Sequence, residues 1–496
     1  MKTPRLERRN GAAVDKALID AFAKDFQGQV ILLEDAGYDK ARQIWNASID
    51  KHPGLIARCA GVADVVHAVK FARGSDLLIA VRGGGHNVAG RALCDNGLVI
   101  DLSAMKGVFV DPDRRSVRAQ AGATLGEVDR ETHLHNLAVP FGVVSRTGIA
   151  GLTLGGGVGW LVRKYGLTCD NVLSCEVVTA EGEVMTADEE TNADLFWGLR
   201  GGGGNFGIVT SFLYRAHPVS VVLGGPILYT RDQAGDVLRH YRAFMTTAPE
   251  ELTAYAGLIS TPDGAPAVAV VVCYCGDLAE GERVIRPLRG FGSPFMDAVQ
   301  PLPFPAMQKL FDDAFPDRTY NYWRSSFLKA LSDEAIDLIV EHGNRAGSPL
   351  SGVVLEFYGG AAGRVAPSDT AFAQRQAEYN VGITAQWTEA AEGDQHIGWV
   401  RALWDALVPH SSGGYLLNFL GDDNPEAIRG AFGTNHGRLV ELKTKYDPTN
   451  FFSLNQNVLP RPRESRRARE GSASVGDRKK AAVHGPSAPG PVHRQS

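Results

Sequence analysis

The sequence predicts an α+β chain of two units followed by a polar tail, and three observations carry that prediction. From about Ser48 to Pro218, short β runs alternate with helices. From about Val219 to Leu442, longer alternating runs mix with helices, the pattern of an antiparallel sheet with helices over it. Three glycine clusters crowd into the first unit: Gly83–Gly85, Gly155-Gly156-Gly157-Val158-Gly159 and Gly201–Gly204. At 496 residues the chain is also too long for one small core.

The elements follow in order. Residues 1–47 read as a helical lead-in. Ala63–Arg73 sets Val65, Val66, Val69 and Ala72 at helical spacing. Leu77–Val81 reads as a strand that feeds the first glycine cluster, and Leu98–Leu102 and Val117–Ala121 as further strands. Thr124-Leu-Gly-Glu127 is a capping box that starts a helix running to about His135. Glu176–Ala180 and Ile208–Tyr214 read as strands, with Asp194–Arg200 as a helix between them. In the second unit Val268–Cys275, Val353–Tyr358 and Tyr379–Trp387 alternate as strands do, and Ile397–Val408 reads as a helix. Past Pro460 the chain is basic, poor in apolar residues and predicted to be disordered.

Charge and composition exclude several classes. Arg461–Ser496 holds nine basic and three acidic residues, so a net charge of −5 leaves −11 on the body. A body that acidic is not a nucleic-acid binder. The longest apolar run, Ala267–Cys275, is far short of the roughly 20 residues that span a bilayer. Met1–Lys24 has no signal-peptide core. Six cysteines in so long a chain are no disulfide framework, so a reduced, cytoplasmic protein with no membrane partner is expected. Cys273 and Cys275 share one face of a strand and read as packing residues. His133 and His135, two apart on a helix, point in different directions, and no metal site is predicted.

The glycines carry the chemistry. In Arg82-Gly83-Gly84-Gly85-His86-Asn87, three glycines let the backbone approach a diphosphate, and His86 can reach what the diphosphate carries. Any one cluster can be a tight turn. Three together, each glycine costing on the order of 1 kcal/mol of conformational entropy, suggest a large flat ligand along the backbone. Gly202-x-Gly204-x-x-Gly207 has the letters of a nicotinamide-dinucleotide fingerprint, but that fingerprint follows a strand and opens a helix. Here a helix precedes it and a β run follows, so the fingerprint is rejected.

Five ordered motifs resemble the berberine-bridge-enzyme-like FAD-linked oxidases, of the vanillyl-alcohol-oxidase (PCMH) type, over about Ser48–Pro460. They are Arg82–His86; Gly148-x-x-Gly151-x-x-x-Gly155-Gly-Gly157-x-Gly159; Arg163-Lys-Tyr-Gly-Leu-x-x-Asp170-Asn171-Val; Leu195-Phe-Trp197-Gly-Leu-Arg-Gly201 through Asn205-Phe-Gly207-Ile-Val209-Thr; and Asp447-Pro-x-Asn450-x-Phe452-x-x-Asn455-Gln-Asn457. The nearest flavour is the bacterial branch with the hydroxy-nicotine oxidases. The resemblance implies a PCMH-type FAD-binding unit over residues 48–218, a substrate unit over 219–442, and a segment 443–460 that returns to the first unit. It implies FAD contacts from Arg82, Gly83, Gly84, Gly85, His86, Asn87, Gly90, Gly148, Gly151, Leu152, Gly155, Gly156, Gly157, Gly159, Asn171, Gly207, Ile208, Val209, Asn455 and Asn457. His86 matches the histidine that bonds covalently to the flavin.

Departures from the family pattern shape the rest. Many members add a second covalent bond through a cysteine; Val144 stands at that position, so one bond is expected. A catalytic tyrosine is replaced by Phe419 and a catalytic glutamate by Asn380, which as an amide takes no proton at neutral pH. Either no strong base is needed, as when a neutral amine loses hydride to become an iminium, or another group serves. Asn380, Tyr322 and Tyr415 are the expected catalytic contacts, Tyr320, Tyr358 and His396 further candidates, and Trp387 and Phe419 the expected pocket walls. Thr147 stands where the family often has a small aliphatic residue near the oxygen pocket. The resemblance implies an oxidase that takes hydride from a C–H next to nitrogen or oxygen of a small molecule and reduces dioxygen to hydrogen peroxide. A dehydrogenase with another electron acceptor and a flavin binder without turnover stay open as alternatives.

Overall fold

The computed structural model describes residues 5–421, 425–462, 488 and 490. Apart from residues 461, 462, 488 and 490, the tail expected to be disordered lies outside the described residues. Strands are numbered in chain order. β1 (Gln29–Ile31), β2 (Leu55–Arg58), β3 (Ile79–Arg82) and β4 (Leu98–Asp101) form one sheet in the order β1-β2-β4-β3. The last three are parallel, with β4 wholly buried, β2 nearly so and β3 buried over its first half. The helix Val62–Gly74 lies between β2 and β3 in sequence and supplies the crossover such strands require. Residues 1–47 are thus more than a helical lead-in: beside the helices Lys16–Lys24 and Tyr38–Ala41 they add β1, antiparallel to β2. A three-residue strand is too short to show a period in sequence.

β5 (Val108–Asp111), β6 (Ser116–Gln120), β7 (Leu137–Ala138), β8 (Val172–Val178), β9 (Val184–Asp188) and β10 (Ile208–Arg215) follow. All but β7 form an antiparallel sheet, β5-β6-β10-β8-β9. The capping box at Thr124 is present, Glu127 Oε2 accepting from the Thr124 amide at 2.9 Å, and starts the helix Leu125–His133. Ala193–Leu199 is helical and the glycine loop after it enters β10, which is the helix–loop–strand order that excludes the nicotinamide fingerprint.

The second unit begins after β11 (His217–Pro218), which pairs with β7. β12 (Val221–Thr230), β13 (Leu252–Ser260), β14 (Pro266–Tyr274), β15 (Met296–Asp297), β16 (Gln300–Pro303), β17 (Tyr320–Leu328), β18 (Gly352–Phe357) and β19 (Tyr379–Trp387) build one antiparallel sheet. Its order is β15-β12-β14-β13-β18-β19-β17, with β16 beside β12. Alternation gives this sheet two chemically distinct faces. Leu355, Phe357, Tyr379, Val381, Ile383 and their neighbours meet the helices Ala234–Met245, Asp333–Gly343 and Gly393–Leu407 in one core. The other face turns toward the first unit. Cys273 and Cys275 lie on it, buried with Trp160 and Phe304, as packing residues. Among the described residues no helix is long and apolar enough to cross a membrane.

The C-terminal segment is pinned by a buried ion pair. Lys443 Nζ donates to Asp447 Oδ2 at 2.6 Å and to the carbonyls of Asn205 and Phe452, both at 2.9 Å. Lys443 and Asp447 are both wholly buried. Lys443→Met leaves the buried Asp447 carboxylate without its counter-ion, held only by the Phe451 and Phe452 amides at 2.7 and 2.9 Å, and is expected to cost about 3 kcal/mol, read as a fall in the urea midpoint.

A candidate flavin cavity between the two units

A cavity of about 1040 Å³ runs between the glycine loops and the open face of the second sheet. That is at the upper end of ordinary small-molecule pockets, as a dinucleotide together with a small substrate requires. Its first-unit wall comes from Gly83, Gly84, Gly85, His86 and Asn87 after β3, and from Gly148, Gly151, Leu152 and Gly155 around the short helix Ile149–Leu154. Gly207, Ile208 and Val209 at the start of β10 continue it, with Asn455 and Gln456 from the C-terminal segment. The Asn455 amide donates to the Gly204 carbonyl at 2.9 Å, and Arg91 donates to the Asn455 carbonyl at 2.5 Å, so the last segment is stitched to two of the loops.

The glycines of this wall do two different things. A methyl on Gly84 would come within 2.5 Å of the Gly148 amide, and one on Gly148 would overlap Gly84, so the two loops touch backbone to backbone. Gly151 and Gly204 line the cavity, and a methyl on either would meet nothing within 4 Å. Protein packing does not demand glycine there, whereas a ligand lying on the backbone does. Unpartnered buried polar atoms at His86 Nε2 and Asn455 Oδ1 lie on residues of the same wall, and Asn418 Oδ1, also unpartnered, lies on a lining residue of the second unit. This cradle fits a bound FAD.

Seven residues named as FAD contacts do not line the cavity. Arg82 turns from the cavity, donating to the Ala41 carbonyl at 2.5 Å with its Nε 3.9 Å from Asp101. Gly90 packs on Ile49, Gly156 on Phe372, Gly157 on Thr168 and Gly159 on the Phe141 carbonyl, so these glycines serve close approach of protein to protein. Asn171 donates to the carbonyls of Tyr165 and Leu167, both at 2.9 Å, and fixes a turn. Asn457 is not among the lining residues, while its neighbour Gln456 is.

His86 lines the cavity and stacks on Trp45, centroids 4.2 Å apart and planes 13° from parallel. Burial lowers its pKa to about 4, so the imidazole is neutral at physiological pH. Trp45 is held in turn by its indole N–H on the Phe315 carbonyl at 3.2 Å and an edge contact with Trp323. Val144 and Thr147 also line the cavity.

The second-unit wall differs from the expectation. Trp387 and Tyr322 lie on the helix-covered face. Trp387 stacks on His396 and Tyr320 there, and the Tyr322 hydroxyl accepts from Arg324 at 3.0 Å. Tyr415 packs on Trp404 away from the cavity. Phe419 lines the cavity as expected, beside Trp323.

The buried acid of this wall is Glu356, on β18. Its Oε2 accepts from Asn380 at 2.8 Å and from the Tyr358 hydroxyl at 2.7 Å. Burial raises its pKa and these two hydrogen bonds oppose the rise. Asn380, on β19 directly across from Glu356, is wholly buried and stands behind the carboxylate rather than in the wall. Tyr255, on β13 directly across from Glu356 on the other side, lines the cavity with its hydroxyl buried and unpartnered. Glu356, Tyr255 and Trp45 were not expected from sequence. Glu356 alone left a signal, as a charge inside an apolar β run.

A family model for an FAD binding domain matches residues 53–188, and one for berberine and berberine-like proteins matches residues 416–459. An FAD-linked oxidoreductase of Dictyostelium discoideum is 32% identical over 448 residues, which cover 89% of this chain and 97% of that protein. The (R)-6-hydroxynicotine oxidase of Paenarthrobacter nicotinovorans is 31% identical over 464 residues, covering 88% and 97%. The solved structure of 6-hydroxy-D-nicotine oxidase from Arthrobacter nicotinovorans matches with a TM-score of 0.81 at 30% identity, covering 88% of this chain and 98% of that one. With its glycine cradle, its returning C-terminal segment and relatives that span nearly its whole length, the chain belongs to the berberine-bridge-enzyme-like family of FAD-linked oxidoreductases.

Proposed function

We propose that this enzyme is an oxidase joined to FAD by a single covalent bond at His86. It takes a hydride from a C–H next to nitrogen or oxygen of a small molecule, with dioxygen as the final acceptor. When bound, FAD supplies the hydride-accepting ring and passes the electrons on. The chain supplies placement and proton handling. Glycine backbone and Asn455 hold the dinucleotide, and Trp45 fixes the plane of His86. Val144 has no thiol to offer a second bond. Glu356 takes the proton of the substrate heteroatom. Both hydrogen bonds to it end on Oε2, which leaves Oε1 for the substrate. The observation that carries this reading is that Glu356 shares one cavity with the glycine cradle and His86.

Two measurements test it. Acid-precipitated protein is expected to stay yellow, with flavin mass on the peptide that contains His86; mass on another residue, or release of all the flavin, overturns the single His86 bond. A panel of amines, secondary alcohols and sugars is then offered without oxygen. Bleaching by one class, followed by one peroxide per flavin on admitting air, supports the oxidase. Slow reoxidation by air favours another acceptor. The attachment step has its own pH dependence, because only the neutral imidazole has a free lone pair. Covalent incorporation into FAD-free protein is expected to hold steady down to about pH 5 and to slow as pH falls through about 4.

A further inference from the structure

We propose that Asp312, on the second unit, is a positioning residue for the bond at His86. By clasping Ser145 and Arg146 it fixes the Phe315 carbonyl, which sets the Trp45 ring on which the imidazole lies. The proposal rests on the reading above that FAD bonds to His86. Residues 309–319 join the helix Phe304–Gln308 to β17 and form no helix or strand, so no ladder holds them. Their place depends on contacts with the units around them. The Asp312 carboxylate takes both donors of Ser145, the amide on Oδ1 at 2.8 Å and the hydroxyl on Oδ2 at 2.5 Å. Arg146 donates to the carbonyls of Asp312 and Phe315, the latter at 3.3 Å. Phe311, Asp313, Ala314 and Phe315 line the cavity and Asp312 does not, so its carboxylate serves the first unit.

The Phe315 carbonyl has a second donor, the Trp45 indole N–H at 3.2 Å. The Trp45 backbone is held separately: its amide donates to the Gly85 carbonyl at 3.2 Å, and its carbonyl accepts from the Arg318 amide at 3.0 Å. Those bonds leave the ring free to turn about its side-chain torsions. The indole bond and the edge of Trp323 stop that turn. With Nε2 unpartnered, the imidazole of His86 is oriented by its stack on Trp45. Burial lowers the pKa of His86 most; of the charged groups, Arg146 lowers it and Asp312 raises it, so the clasp is close enough to be felt at the ring. Attachment joins an imidazole nitrogen to a methyl carbon of the flavin ring. One imidazole N–H and one methyl C–H are lost for the N–C bond gained. The two protons and two electrons released reduce the ring, and dioxygen carries them off as hydrogen peroxide. The nitrogen must be aimed at that carbon, and a misplacement of about 1 Å can cost on the order of 10²-fold.

The test adds FAD in air to the full-length FAD-free chain. It follows total bound flavin and the flavin that stays on the protein in acid. Asp312→Ala is expected to bind FAD to the wild-type level and to slow attachment by about 10-fold or more. The bonds from Gln308 to the Gly142 carbonyl at 2.5 Å and from Gln386 to the Ala314 carbonyl at 3.1 Å remain, so the segment stays docked. Asp312→Asn keeps an acceptor for the Ser145 amide and recovers most of the rate. Trp45→Phe keeps a stacked ring without the N–H and slows attachment about as much as Asp312→Ala. The double variant is no slower than either single one, because both act through one hydrogen bond. If Asp312→Ala does not fold, Ser145→Ala, which removes one hydroxyl, gives the same comparison with an effect of roughly 3-fold. Attachment at the wild-type rate, effects that multiply in the double variant, or total flavin that falls in step with attachment overturns the clasp and leaves His86 as the site. Wild-type protein with no flavin on the His86 peptide removes the bond itself, and the clasp with it.

Discussion

Glu356→Gln is expected to slow anaerobic flavin reduction by about 10²–10⁴-fold, the range set by loss of a positioned general base. Glutamine keeps the shape and still offers an oxygen to Asn380 and Tyr358, so flavin content and thermal midpoint should stay at the wild-type level. The wild-type rate should fall in acid, because the carboxylate must be ionised to take a proton. Burial raises the pKa of Glu356, so this fall lies at a higher pH than an ordinary glutamate would give. Asn380→Ala and Tyr358→Phe remove the hydrogen bonds that oppose the rise, and both are expected to move the acid limb to still higher pH with a rate loss of roughly 3–10-fold. Those two residues position the base, and an unchanged pH profile in both variants would reduce them to packing.

The second large effect separates the two kinds of glycine in the cradle. Gly151→Leu and Gly204→Leu place a side chain where there is open space, so the protein should fold with a near-normal thermal midpoint and yet come out colourless. Gly148→Ala pushes a methyl into the backbone of Gly84, so it should lose about 1–3 kcal/mol of stability before any question of cofactor arises. Flavin absorbance per polypeptide and thermal unfolding, measured on the same samples, distinguish the cases. Yellow Gly151→Leu and Gly204→Leu proteins would mean that the dinucleotide lies elsewhere.

The glycine wall of the cavity was legible in sequence because glycine clusters and helix–loop–strand order are local. Gly83–Asn87 fell where expected because a strand and the loop after it are neighbours in the chain as well as in space. Local pattern could not separate glycines that face the open cavity from Gly156, Gly157 and Gly159, which face Phe372, Thr168 and Phe141. The substrate half was misread by one rule that sequence does contain. Asn380 and Trp387 are seven residues apart on one strand, so they point to opposite faces, and both cannot meet the cavity. Tyr322 and Trp323 are adjacent and divide the same way, with Trp323 inward. The same alternation, applied to Val353–Tyr358, puts Glu356 opposite Val353, Leu355 and Phe357. Trp45 against His86 is a contact that no period reports, because it depends on how the lead-in wraps the first sheet.

The buried Lys443–Asp447 clamp has a consequence for how the chamber fails. It ties Asn205 to Phe452, and Asn455 and Gln456, a few residues further on, line the cavity. One wall of the chamber thus depends on an ion pair outside it, and loosening that pair is expected to open the chamber before either large sheet melts.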